Sequence, residues 1–282
     1  MRIATWNVNS LGARLGKVEW WIERAAPDVL LIQETKLADE DGPHEAFEKM
    51  GYTFHHHGQG RWNGVAIATK SEASDLVVNF GDPVATEVDP EDPFTEARMI
   101  AATIDGVRLV SVYVPNGRQV DSPFYAKKLE WLDRLVKWVE DEGADALIVG
   151  GDYNVAPADI DVWDAEKCHG GTHVSGAERE RIANLEAAGL VDVYRAQHPE
   201  GNRYSWWDYR QGAFHKNMGM RIDLLMSSAA VVERAVWTEI DREARKGKPI
   251  PSDHTPVVVD LDAKGVAFDA KWARADAKLK KK

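Results

Sequence analysis

Residues 123–154 read PFYAKKLEWLDRLVKWVEDEGADALIVGGDYN, and this stretch decides the fold. Leu129, Leu132, Leu135, Val136 and Val139 recur at helical spacing, which predicts an amphipathic helix over 123–142. Beyond Gly143 the pattern changes to an apolar run over 146–151, which predicts a buried strand. Asp152 and Asn154 close that run, and two-residue alternation sends both side chains the same way. A long helix feeding a buried strand that ends in a carboxylate is the grammar of an α/β protein.

The same alternation extends outward in both directions. Residues 2–8 read as a strand, 15–25 as a helix, and Pro27 precedes the buried strand Val29-Leu30-Leu31-Ile32. Residues 64–69, 99–104 and 107–114 read as further strands, with Asp105-Gly106 as a hairpin turn between the last two. A helix over 177–188 closes at Gly189, and strands follow over 220–226 and 255–261. His55-His56-His57 reads as a strand with polar ends, because alternation puts neighbours on opposite faces and leaves at best an i, i+2 pair for a metal. No repeat or internal linker interrupts the chain. Strands on both sides of residue 145 are needed to complete sheets, so residues 1–262 are expected to form one domain followed by a basic tail, 263–282.

Composition sets limits on function. Of 282 residues, 44% are hydrophobic and 29% charged, enough for a sizeable core and unlike a disordered chain. The formal net charge is −11, yet residues 263–282 carry seven Lys/Arg against two Asp. That tail is either a frayed, solvated end or an electrostatic arm for DNA. Glu87, Asp89, Glu91, Asp92 and Glu96 concentrate acid in one loop-like stretch. An acidic balance argues against a nonspecific nucleic-acid coat protein, but it leaves room for an enzyme that meets phosphate through a metal and a few basic loops. Cys168 stands alone, which excludes an intramolecular disulfide framework and fits a reducing, cytoplasmic setting. Neither a secretory signal nor an apolar run of membrane-spanning length is visible, so a soluble protein without a membrane partner is expected.

Polar residues collect where strands end. Asn7 ends the first strand on the face of Ile3 and Thr5, and Glu34 ends the second, in line with Leu30 and Ile32. Tyr113 lies near the end of another strand, Asp223 sits inside Arg221-Ile222-Asp223-Leu224-Leu225, and Asp253-His254 directly precede the last strand. A charge inside an apolar strand is costly unless it is paired. Taken singly, each residue has a plain structural explanation as a turn former or a hydrogen-bonded core group. Several carboxylates, amides and one histidine, each at the end of a hydrophobic strand, are hard to explain by packing; rigid strand ends are where ligand and catalytic groups gather.

Six segments carry a resemblance. Residues 27–36 (PDVLLIQETK), 113–117 (YVPNG), 151–154 (GDYN), 205–210 (SWWDYR), 217–223 (NMGMRID) and 252–257 (SDHTPV) resemble the exonuclease III family of apurinic/apyrimidinic endonucleases. The match runs in order over about residues 1–261. The resemblance implies a four-layer α/β sandwich, with two mixed β-sheets packed face to face and helices outside. It also implies a Mg²⁺-dependent phosphodiesterase, with Mn²⁺ as a substitute, that incises duplex DNA 5′ to abasic sites and leaves a 3′-hydroxyl. Cleaning of blocked 3′ ends (3′-phosphatase and 3′-phosphodiesterase) and 3′→5′ exonuclease activity would accompany it, in base excision repair, from a monomer.

By the same resemblance Glu34 is the principal metal ligand, with Asn7 beside it and Asp253 at a second position or through water. Hard oxygen donors without a Cys/His cluster favour Mg²⁺ over Zn²⁺. Asp152 matches the aspartate that orients and deprotonates the attacking water, with Asn154 next to it, and Asp223 matches the partner of His254. Two assignments of the base stay open here: Asp152 with a protonated His254 as donor, or His254 with Asp223 as its orienter. Tyr113 and Asn116 would contact the phosphate. Trp206, Met220 and Ile222 would wall a pocket for a flipped-out, baseless sugar, although Trp206-Trp207 also reads as core. Met220 stands where relatives carry Trp or Leu, which leaves the tightness of the wall open. Arg98 and Lys128 are candidates for backbone phosphate contacts, against a plain reading as solvated surface. Two rivals remain in view: the same chemistry on another phosphoester, and a damage binder without catalysis. The segment 205–210 speaks against the first and the intact carboxylate and histidine set against the second.

Overall fold

The computed structural model describes residues 1–82, 85 and 87–265. The strands are β1 (Arg2–Asn7), β2 (Val29–Gln33), β3 (Thr53–His57), β4 (Val65–Thr69), β5 (Ala73–Val78), β6 (Met99–Ile104), β7 (Val107–Tyr113), β8 (Leu147–Asp152), β9 (Leu190–Asp192), β10 (Asp223–Ser228), β11 (Ala235–Ile240) and β12 (Val257–Leu261). They form two mixed six-stranded sheets, in the orders β11-β12-β1-β2-β4-β3 and β5-β6-β7-β8-β10-β9. Ile3, Leu31 and Ile67 of the first sheet meet Ile100, Leu109, Ile148 and Leu225 of the second in a fully buried core. Outside the first sheet, the helix Leu11–Ala25 packs Val18, Trp21 and Ile22 on Trp6, Leu30 and Ile32. Outside the second, the helix Pro123–Glu142 packs Trp131, Leu132, Leu135 and Val139 on Val110, Val112, Val149 and Leu224. Helix, sheet, sheet, helix is the four-layer sandwich expected.

Local chemistry explains the elements that matter most. Pro123 starts its helix, Ser122 Oγ accepts the Tyr125 N–H, and Gly143 ends it at φ 60. Asp105 and Gly106 both take positive φ, 47 and 76, as a type I′ turn between β6 and β7 requires. At Gly151 an added Cβ would fall 1.9 Å from the Val112 carbonyl oxygen, and at Gly150 it would lie 2.7 Å from Leu31. The pair lets β8 sit tightly between its neighbours and against the facing sheet.

Several boundaries differ from expectation, with a common cause. The first helix begins at Leu11, a turn before residue 15. The strand expected over 220–226 is β10, starting only at Asp223, because Met220 pairs with Trp206 and Arg221 N–H bonds the Asp161 carbonyl instead of the sheet. The strands β5, β9 and β11 had no clear signal. All three are edge strands, half solvated and without a continuous apolar run. The histidine triplet lies in β3, another edge, as a strand. Of the basic tail, residues 266–282 fall outside the described residues, and the question of frayed end or DNA arm falls with them.

Candidate active site

Strand register assembles the centre of the site. In β7 and β8, Tyr113 pairs with Asp152; in β8 and β10, Asp152 pairs with Asp223. One row therefore crosses three adjacent strands, and its side chains share a face with Leu109, Ile148 and Leu225, toward the other sheet. From that other sheet Asn7, the last residue of β1, donates Nδ2 to Asp152 Oδ2 at 2.9 Å. His254, just ahead of β12, places Nδ1 2.9 Å from Asp223 Oδ2 and Nε2 3.8 Å from Asp152 Oδ2. Asp152, Asp223 and His254 are all buried.

Electrostatics give the row its chemistry. Burial pushes the Asp152 carboxyl up to about 7; His254 opposes the shift and Asp223 adds to it, while Asn154 N–H and Asn7 Nδ2 bond the charged form. Burial works against a charged His254, but Asp223 and Asp152 outweigh it and raise the imidazole to about 10. At neutral pH the site thus holds a carboxylate able to take a proton beside an imidazolium able to donate one. Tyr113 is raised well above its ordinary value, by burial first and by Glu34 next, so its phenol stays neutral and donates to Glu34 Oε1 at 3.2 Å.

Glu34 reaches the site by a route that alternation does not foresee. Leu30 and Ile32, with which it was expected to align, face the outer helix rather than the inter-sheet side. Glu34 has left the extended conformation, at φ 60, and this turn swings its carboxylate across to Tyr113. Lys36 Nζ stands 3.3 Å from Glu34 Oε1 and donates to Asn9 Oδ1 at 2.7 Å. Asn9 Nδ2 and Trp206 Nε1 then bond the two oxygens of Asp253, at 2.9 and 3.0 Å. Burial alone would raise Asp253, but His254, Asn9 and Trp206 together hold it below the usual carboxylate range. Sequence reasoning left Lys36 and Asn9 out of the site. Their signal was proximity, two residues beyond Glu34 and Asn7, and for Lys36 also its place at the end of the 27–36 segment.

Glu34, Asn7 and Asp253 each offer oxygen, the donor that a hard divalent cation takes. Among the described residues, Asp152, Asp223 and His254 also bring ligand atoms within 4.8 Å of one another. In that second group His254 and Asp223 already bond each other, just as Lys36 stands 3.3 Å from Glu34 in the first.

Two proposed DNA contacts are corrected. Lys128 is fully buried; its ammonium pairs with Glu178 and donates to the carbonyls of Asn154 at 2.7 Å and Asn116 at 3.3 Å. It sits beneath the loops that carry Asn116 and Asn154, out of reach of DNA and of solvent. Arg98 is 9% exposed, with Nε 2.5 Å from Glu96 Oε2, Nη1 on the Tyr113 carbonyl and its guanidinium 4.8 Å over the Tyr113 ring. The carboxylate and carbonyl occupy it as a brace for β7. Asn116 stays at the site, donating Nδ2 to Asn154 Oδ1 at 3.2 Å.

The aromatic segment divides. Trp207 is core, 1% exposed, against Tyr204 and Phe214. Trp206 is half-buried, 6.5 Å ring to ring from His254, and clusters with Met220, Ile222 and Val162. Ile222 is 2% exposed, which leaves Trp206 and Met220 as the open wall. Arg221, which sequence reasoning passed over, is fully buried between Asp161 and Asp192, at 2.6 and 2.5 Å, and ties that wall to the loop before it.

Comparison with known proteins agrees with the fold and identifies the family. The profile of the endonuclease/exonuclease/phosphatase family matches residues 4–254. Exodeoxyribonuclease III of Haemophilus influenzae is 34% identical, over 91% of this chain and 98% of its own. A Neisseria 3′ phosphatase bound to product DNA hairpin superposes with a TM-score of 0.86 at 39% identity, covering 93% of this chain and 100% of that one. An AP endonuclease from Archaeoglobus fulgidus gives 0.84 at 34%, with the same coverage.

Proposed function

The chain belongs to the endonuclease/exonuclease/phosphatase family, on its exonuclease III branch, and from that premise we propose that it is a metal-dependent DNA-repair nuclease that incises duplex DNA at abasic sites and clears blocked 3′ ends. The observation that carries this is the register row Tyr113–Asp152–Asp223 with His254 closing it. Asp152 takes the proton of the attacking water, and Asn154 and Asn7 hold its carboxylate in place. His254, kept charged by Asp223, donates toward a non-bridging phosphate oxygen as charge develops there. Tyr113 and Asn116 orient the phosphate. A divalent cation held by Glu34, Asn7 and Asp253, Mg²⁺ with Mn²⁺ as a substitute, would offset phosphoryl charge and stabilise the departing oxygen. Trp206 and Met220, backed by Ile222, receive the sugar. Residues 1–262 act in this scheme as one catalytic domain, monomeric and cytoplasmic; among the described residues no helix is long and apolar enough to cross a membrane.

A second emphasis has its own support: the relative at 39% identity is a 3′ phosphatase, against 34% for the AP endonuclease. Three duplexes separate the two, one with an internal abasic analogue, one with a 3′-phosphate at a nick and one undamaged, each with and without EDTA. Abasic incision is expected to exceed cleavage of undamaged DNA and to stop in EDTA. Equal rates on the abasic and undamaged duplexes would overturn the abasic specificity, and turnover confined to the 3′-phosphate would establish end processing as the function.

A further inference from the structure

Trp206 lies beside His254 at one end of the catalytic row, and Arg98, stacked on Tyr113, lies at the other. Beyond Arg98 opens a cleft of about 270 Å³, just below the range of pockets for drug-sized molecules and suited to one ring system. Trp62 forms one wall and is 66% exposed, a costly position for the largest apolar side chain. Phe124 stands among the other lining residues, with the Arg118 guanidinium 3.4 Å over its ring, and Asn116 joins the cleft to the catalytic centre. Glu91, Glu96, Arg98 and Lys127 also line it, with Glu96 already held by Arg98.

This combination selects one kind of occupant. Aromatic faces and a guanidinium stack on planar rings. Glu91 can accept hydrogen bonds from the amino groups of a base, while Arg98, Arg118 and Lys127 balance the carboxylates and tolerate the adjoining phosphates. A strand whose sugar sits against Trp206 and whose phosphate lies over the row must continue past Tyr113 and Asn116, toward this cleft. We propose that the cleft between Trp62 and Phe124 is a stacking subsite for the nucleobase adjoining the scissile phosphate, on the side opposite Trp206. It rests on the nuclease function proposed above and adds that the enzyme unstacks this neighbouring base.

The test places 2-aminopurine at that nucleotide in a duplex and follows its fluorescence on binding in EDTA, where no cleavage intrudes. Wild-type protein is expected to change the emission, and Trp62→Ala to abolish the change. In metal-dependent turnover, Trp62→Ala is expected to raise KM roughly tenfold with kcat kept, the size of one lost stacking contact, and Trp62→Phe to restore it. Unchanged fluorescence and KM in Trp62→Ala would overturn the subsite. A raised KM with the fluorescence change intact would overturn it too, since Trp62 would then touch backbone rather than base. Failure of wild type to cleave any of the DNA substrates would instead strike the nuclease function, leaving the binding signal to be judged separately.

Discussion

The row Tyr113–Asp152–Asp223 and the wall Trp206–Met220 are neighbours, yet they are held in place by different means. The row stands on three hydrogen-bonded strands, so its side chains can change neither face nor spacing without unpicking β7, β8 and β10. The wall hangs on isolated bridges, Trp206 with Met220 and His254 and Met220 with Val162, and on the buried Arg221 between Asp161 and Asp192. Chemistry that must be rigid sits on the sheet. Recognition, which must admit and release a strand, sits on loops pinned at a few points.

The sharpest break of the row is Asp152→Asn. It removes the proton acceptor while keeping the bond to Asn7 within reach, so turnover should fall by about 10²–10⁴ with folding and DNA binding retained. Single-turnover kinetics beside a DNA-binding titration checks this. A variant that kept near-normal rate at saturating metal would move the base to His254.

Lys128→Met tests whether the row depends on the helical layer beneath it. The ammonium is fully buried, and burial lowers its pKa against the pull of Glu178. Removing it leaves Glu178 as an uncompensated buried charge, at a cost of about 3–5 kcal/mol in urea unfolding. It also frees the carbonyls of Asn154 and Asn116, so kcat should drop more than KM rises. Adding Glu178→Gln should recover much of the stability but not the rate.

How much of this was legible in the sequence follows the same division. Asp152, Asp223 and Tyr113 could be placed because alternation along a buried strand is strict, and register then did the rest. Glu34 was identified, but its direction was not, because a single residue at φ 60 cancels the alternation. Lys128 was misplaced on the surface: a lysine on an amphipathic helix looks solvated until its partner, Glu178, arrives from fifty residues away. Arg98 was misjudged although its partner Glu96 lies only two residues away, since nothing local marks a salt bridge as buried. The edge strands β5, β9 and β11 carry too little apolar pattern to be read at all.

Asp223→Asn probes the electrostatics of the row at smaller cost. Burial raises Asp152 to about 7 with Asp223 adding to it, whereas Asp223 is the first of the groups that raise His254 to about 10, so its loss should lower His254. The wild-type rate should rise with pH as Asp152 loses its proton near 7 and fall only when His254 deprotonates far above that. In the variant the alkaline limb moves to lower pH. If His254 came down to near 7, its protonated fraction at pH 8 would fall roughly tenfold, and the rate with it. The full pH profile of kcat/KM decides it. An unshifted alkaline limb would mean that His254 is not the donor.

The wall should respond least, and Trp206 shows why two substitutions are needed. Its indole serves twice: the ring faces the site beside His254, and Nε1 holds Asp253 at 3.0 Å. Trp206→Phe keeps an aromatic face and removes the donor; Trp206→Ala removes both. If the ring does the recognising, Trp206→Ala should lose about 1–3 kcal/mol of discrimination between abasic and undamaged duplex, the range for one aromatic contact with a nucleotide. Trp206→Phe should keep most of it. The phenylalanine variant should instead need more Mg²⁺ for half-maximal rate, because Asp253 loses a bond that helps hold its carboxylate charged and in place. Metal titrations on the abasic and undamaged duplexes read both effects at once. Equal discrimination in wild type and Trp206→Ala would remove the ring from recognition and leave the wall to Met220, whose thioether can repack but cannot hold a sugar in one orientation.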